Sequence, residues 1–144
     1  MDDCLICEQI AAIDDLPGGA VVAGDVVVAY HLPPIERFPL QYLGRVLVVT
    51  RRHVDHLGEL RREEASAAGI AARDVAAMLT SLDDVARVHL AVIGLHVPHF
   101  HLHVFPRYEW MPREADWNAL HELPDAPRGG AAEISEFVER LRAS

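Results

Sequence analysis

The apolar positions of this chain change period several times. "HFHLHVF", residues 99–105, alternates strictly between histidines and apolar side chains, the pattern of a strand with two distinct faces. "AVVAGDVVVAYHL" places Val-rich runs on either side of Gly24-Asp25 and predicts a hairpin. "GRVLVVT" is an unbroken apolar run and predicts a buried strand; "ARVHLAVIG" predicts another. From about Arg61 to Leu82 the period becomes helical, with Ala68, Ala72, Val75 and Leu79 on one face. "CLICEQIAA" reads as a short helix and "AAEISEFVERLRA" as an amphipathic one. "DDLPGG" is a turn, "PPIERFPLQYLG" a proline-rich loop, and residues 106–130, with their prolines, two tryptophans and Gly-Gly, an irregular tail.

The resulting order, α-β-β-β-α-β-β-α, leaves links too short for βαβ crossovers. The expected class is α+β: an antiparallel sheet with one long helix and short terminal helices. A length of 144 residues fits a single domain, 1–144.

Composition narrows the function classes. No apolar run reaches the ~18 residues of a membrane span, and the acidic start "MDDCLICEQI" lacks the basic beginning of a signal peptide. A soluble cytoplasmic protein with no membrane partner is the expectation. The formal charge of −9 argues against nucleic acid as a partner, because non-specific binding rests on neutralising phosphates. A small anion can still be held where basic residues cluster. Arg61-Arg62, in "ELRREEA", reads as a solvated helix start, which leaves Arg51-Arg52 as the cluster of interest.

The histidine strand carries the chemistry. Residues i, i+2 and i+4 share a face, so His99, His101 and His103 point one way while Phe100, Leu102 and Val104 point into a core. One strand histidine would read as a surface or edge residue; three in register point to a site. Two chemistries compete. Neighbouring rings of the triad, ~6–7 Å apart at Cα, can share a metal, but the outer pair is ~13 Å apart and all three cannot reach one zinc without distorting the strand. Alternatively, a neutral imidazole is a nucleophile near pH 7, and a flanking ring can donate a hydrogen bond to a phosphoryl oxygen. Cys4 and Cys7 form an isolated Cys-x-x-Cys that reads as half of a zinc site rather than as a disulfide.

"HFHLHVF" resembles the motif of the histidine triad (HIT) family, His-φ-His-φ-His-φ-φ with φ apolar. "VFPRY" after it, "YLGRVLVVTRRH" before the long helix, and the Cys-x-x-Cys also resemble family members, in the expected order from Cys4 to about Tyr108. The resemblance points to a bacterial, zinc-bearing branch, with 106–144 as a family-variable tail and helix. It implies cleavage of a phosphoanhydride or phosphoramidate at the α-phosphate of a nucleotide conjugate such as a dinucleoside polyphosphate. His101 is then the nucleophile that forms a phosphohistidine intermediate, and His103 contacts the phosphate. It also implies a structural zinc on Cys4, Cys7, His53 and His99, with His56 the rival to His53, and a homodimer. His89 reads as a satisfied strand residue and His121 as exposed.

Three positions depart from the family pattern. Leu95 and His96 stand where many members have Gln and Ser or Thr, and Leu32 stands where many have the Asp that grips the ribose. Leu32 and Leu95 are thus the substrate-side positions with lost polar groups, while His96 is a candidate proton donor to the leaving group. Two other classes remain beside the hydrolase: a non-catalytic zinc-containing nucleotide-binding protein, and a metal hydrolase with His-x-His at a catalytic zinc.

Overall fold

A computed structural model describes residues 3–144. Five antiparallel strands make the main sheet: β1 (Ala20–Ala23), β2 (Val27–His31), β4 (Val46–Thr50), β5 (Val85–Ala91) and β6 (His101–Tyr108), in the order β1-β2-β4-β6-β5. The expected α+β architecture is the one observed. A two-residue strand β3 (Gln41–Tyr42) inside the proline-rich loop pairs with β7 (Arg128–Gly129) in the tail. Neither segment has a run long enough to announce a strand; each exists because the other lies beside it.

The long helix α2 (Arg62–Thr80) buries Ala68, Ala72, Val75 and Leu79, the face its periodicity marks. It packs on the sheet face carrying Val27, Ala29, Val46, Val48 and Val104. Its start is solvated at Arg61 and Arg62, both exposed as expected, but Glu64 is buried and accepts from both Nε and Nη2 of Arg52, at 3.0 and 2.7 Å, and from the Arg61 N–H at 2.8 Å. The bond from the Arg61 backbone closes the helix N-terminus, and the pair with Glu64 commits Arg52 to a structural role. Arg51 donates to the Gly24 carbonyl at 2.8 Å. The Arg51-Arg52 cluster is therefore spent on the fold.

The opposite sheet face carries Val28, Tyr30, Leu47 and Val49 and is covered by α1 (Leu5–Ala11). Ile6 and Gln9 of α1 are buried there, and the Tyr30 hydroxyl donates to Gln9 Oε1 at 2.7 Å. This contact fixes α1, and with it Cys4 and Cys7, against the end of the sheet. Helix α3 (Ala131–Arg142) closes the chain with Ile134, Phe137, Val138 and Leu141 buried.

The histidine strand begins later and runs further than the alternation suggested. Its ladder starts at His101 and continues through Pro106 to Tyr108, so His99 lies just outside it and the irregular tail begins after the strand ends. The tail is nonetheless held down. Arg107 donates to the carbonyls of Pro112 (2.8 Å) and Ala115 (2.6 Å). Arg128 donates to those of His121 (2.6 Å) and Leu123 (2.8 Å). No helix among the described residues is long and apolar enough to cross a membrane.

Candidate functional site

Cys4 is the N-cap of α1, and the Cys7 N–H donates to its Sγ at 3.3 Å. Two further donors come from distant parts of the chain: His53, after β4, and His99, just before β6. The ligand atoms of Cys4, Cys7, His53 and His99 all lie within 4.8 Å of one another. Cys4 Sγ and Cys7 Sγ are each 3.4 Å from His99 Nδ1, and Cys7 Sγ is 3.3 Å from His53 Nδ1. A tetrahedral zinc with ordinary Zn–S and Zn–N bonds has S···N edges of about 3.5 Å. The four donors thus already stand at the corners of such a site, and a closed Cys₂His₂ set is the chemistry of a structural zinc.

The support around His99 fits the same purpose. Its Nε2–H donates to the Thr50 carbonyl at 2.6 Å, which leaves Nδ1 as the lone pair facing the cysteines. His99 is fully buried, and burial pushes it below the ordinary imidazole value, toward the neutral form that binds metal. Cys7 is pushed up, by burial first and by the neighbouring Cys4, a strain that a cation between them relieves. His56 faces elsewhere: its Nδ1 accepts from the Gly58 N–H at 3.2 Å, and its Nε2 is 3.1 Å from Glu59.

At the first residue of β6, His101 is paired across the sheet with Val49, and two residues on His103 is paired with Leu47. Both lie on the face that carries α1, with ring centroids 5.1 Å apart and nearly perpendicular planes. His101 Nδ1–H donates to the His99 carbonyl at 2.7 Å, so its Nε2 presents a lone pair. His103 is held the other way round. Arg45 Nε–H donates to His103 Nδ1 at 3.2 Å, which leaves the proton on Nε2. Burial, then the Arg45 charge, holds the His103 imidazole down at about 3, so it is neutral at neutral pH. The adjacent rings are therefore complementary: one offers a lone pair and the other an N–H.

The remaining sequence candidates make no hydrogen bond to this pair among the described residues. Leu95 is 77% exposed, on the bend that follows Gly94 after β5. His96 is exposed on the same bend, with no hydrogen bond to His101 or His103. Leu32 is half-buried and packs with Val97 against the α1 cluster. His89 accepts from Arg107 Nε at 3.1 Å. His121 is 45% exposed, and burial first, then the Arg45 charge, lowers its imidazole.

Two residues escape sequence reasoning. Arg45 is a single cation just before β4, and its partner is 58 positions away. His31 is fully buried; its Nε2 accepts from the Gly44 N–H at 2.9 Å, and its Nδ1–H donates to the Leu32 carbonyl at 2.9 Å. It closes the loop that delivers Arg45. The one sequence signal for Arg45 is its spacing: it stands two and four positions before Leu47 and Val49, which pair with His103 and His101.

Comparison with known proteins agrees with this geometry. The family model described as HIT domain matches residues 35–110, more than half of the chain. The chain belongs to the HIT family. Among solved structures, it is similar to a Zn-bound histidine triad family protein from Mycobacterium smegmatis at 17% identity and a TM-score of 0.68, covering 99% of this chain and 92% of that one. A Hit-like protein involved in cell-cycle regulation from Bartonella henselae is 19% identical, with a TM-score of 0.63 over 99% and 97% of the two chains. A HIT family hydrolase from Clostridium thermocellum is 20% identical, with a TM-score of 0.54 over 79% and 98%. At these identities the likeness is one of fold. No curated protein sequence matches the chain.

Proposed function

We propose that this protein is a HIT-type nucleotide hydrolase or transferase acting at the α-phosphate of a nucleotide conjugate. The observation that carries the reading is the opposed pair of tautomers, the His101 Nε2 lone pair beside the His103 Nε2–H. In the reaction, His101 Nε2 attacks the α-phosphorus of a phosphoanhydride or phosphoramidate, and the leaving group departs with the bonding pair. His103 Nε2–H donates to a phosphoryl oxygen whose charge grows in the transition state. Water then attacks the phosphohistidine and frees the nucleoside monophosphate and His101. The His99 carbonyl holds the His101 Nδ1–H throughout and stabilises the ring as positive charge develops on it.

Zinc on Cys4, Cys7, His53 and His99, when bound, supplies a cross-link rather than a Lewis acid, since all four positions are filled by protein. His99 belongs to that set, and its carbonyl is the group that orients His101. The cross-link therefore fixes the catalytic ring through one residue. This arrangement weighs against the metal-hydrolase reading. Leu32 and Leu95 leave the substrate side apolar, so the conjugate is held by its phosphates more than by ribose hydroxyls. His96, on its exposed bend, is the candidate proton donor to the leaving group, reaching it only when substrate orders that segment.

A homodimer fits the surface. Strand β5 is a sheet edge, and Leu90, Val92, Ile93 and Leu95, on and after it, are 43–77% exposed, with Ile70 of α2 61% exposed. Such an edge is the place for pairing with a second copy. The test of function is turnover of a panel of dinucleoside polyphosphates and nucleoside phosphoramidates, with and without chelator. Cleavage that survives brief chelation supports the proposal. Immediate loss on chelation with the fold intact would favour a catalytic metal, and tight nucleotide binding without turnover would favour the binding-protein reading.

A further inference from the structure

Arg45 is held half-buried at the edge of the triad face, and no carboxylate pairs with it among the described residues. The chain has 22 acidic residues, so a partner was not scarce. Burying a guanidinium without a counter-ion is costly, and burial does push Arg45 below the ordinary arginine range. Two contacts account for its position. Its guanidinium carbon lies 4.7 Å from the centroid of the Phe105 ring, a cation–π distance. Its Nε–H donates to His103 Nδ1. Phe105 in turn stacks on Trp117 of the tail at 6.4 Å, so the tail backs the ring on which Arg45 rests.

The bond to His103 has a strict consequence. Arginine has donors and no acceptor, and it does not lose its proton in a protein. A histidine nitrogen facing it must therefore be the bare one. A carboxylate or a backbone carbonyl in the same place would select the opposite tautomer and turn a lone pair toward the substrate.

We propose that Arg45 is a positioning residue that locks His103 as the Nε2–H tautomer, so that this ring always presents a donor to the substrate phosphate. The inference rests on the hydrolase reading for its purpose, but the tautomer itself is independent of substrate. Arg45 acts through His103 and does not touch the reacting atoms: it lies on the Nδ1 side of the ring, away from the nitrogen that faces the phosphate. It follows that the charge is secondary and the donated hydrogen bond is primary.

The test is ¹⁵N NMR of the zinc-loaded protein, reading the two ring nitrogens of His103 without substrate, in the wild type and in Arg45→Gln and Arg45→Met. The wild type should show His103 as Nε2–H. Arg45→Gln, whose amide can donate the same bond, should keep that tautomer. Arg45→Met should give a mixture and lower kcat about 10- to 100-fold, the range found when a group orienting a metal-bound imidazole is lost, with KM changed by less than about threefold. His103 found as Nδ1–H in the wild type overturns the proposal whatever the variants do. So does an unmixed Nε2–H in Arg45→Met. If Arg45→Met does not fold, the proposal stands or falls on the wild-type tautomer and on Arg45→Gln, which must then show Nε2–H as well. Expected tautomers in a wild type that cleaves no conjugate would sink the hydrolase reading and leave the lock in place.

Discussion

Removing His53 should unload the metal centre, and the size of the effect follows from the site. His53 supplies one of four donors, its Nδ1 3.3 Å from Cys7 Sγ, and among the described residues only His99 joins it in that group as a histidine. Losing a group that merely orients a ligand weakens a metal site by about 10- to 100-fold. Losing a ligand should cost at least the upper figure. A 100-fold drop in zinc affinity removes about 2.7 kcal/mol of metal-linked stability. For a chain of this size, about 3 °C of midpoint accompanies each kcal/mol, so His53→Ala should melt at least about 8 °C below the wild type. His56→Ala is the control. Its ring is 65% exposed and holds one loop N–H, so its loss should cost no more than about 1 kcal/mol, or about 3 °C. The assay is elemental analysis of zinc per chain together with thermal unfolding, each with and without chelator. Chelation should lower the wild type toward His53→Ala and leave that variant nearly unmoved. A full zinc complement in His53→Ala, or its loss in His56→Ala, would refute the assignment.

Three further outcomes follow from the packing. Burial holds the His31 imidazole down at about 4 against an unperturbed 6.5, so the folded state resists its protonation. The stability it contributes is full above pH 6.5 and is lost as pH falls from 6.5 toward 4, by about 3 kcal/mol in all; an NMR titration should find this ring still neutral at pH 5, and a midpoint near 6.5 would contradict the account. Gly44 sits at φ +103°, and a Cβ there would lie 2.6 Å from Pro106 Cγ, so Gly44→Ala should destabilise by about 2 kcal/mol or more in denaturant unfolding. Leu90→Glu on the exposed edge of β5 should turn a dimer into monomers by light scattering at unchanged zinc content, and a wild type that is monomeric throughout would end the dimer proposal.

Much of the architecture was legible because it rests on local periodicity. The α2 face, the β2 and β4 runs and the His-φ-His alternation each need only neighbours in sequence to be read. Cys4 and Cys7 were legible as half of a site because three-residue spacing is itself a ligand geometry. What stayed hidden depends on contacts across the fold. Arg45 meets His103 only through the β4–β6 register, and β3 exists only because the tail returns to it. The same limit made Arg51 and Arg52 look available for an anion: the Gly24 carbonyl and the Glu64 carboxylate that occupy them come from elsewhere in the chain. His99 was read as the first residue of the strand, because alternation continues past the point where the ladder stops. In the fold it leaves the ladder to join the cysteines, while its carbonyl stays in place to orient His101.

The central claim is that His101 Nε2 becomes covalently bonded to phosphorus during turnover. It is tested most directly by mixing the zinc-loaded protein with a nucleoside phosphoramidate, quenching within the first turnover in base, where phosphohistidine survives, and mapping the modified peptide by mass spectrometry. The account predicts a nucleotidyl group on His101 in the wild type, no adduct in His101→Ala, and a loss of turnover in that variant greater than the ~10²–10³ expected for one lost hydrogen-bond donor. Turnover by His101→Ala within tenfold of wild type, or an adduct on any other residue, would contradict it.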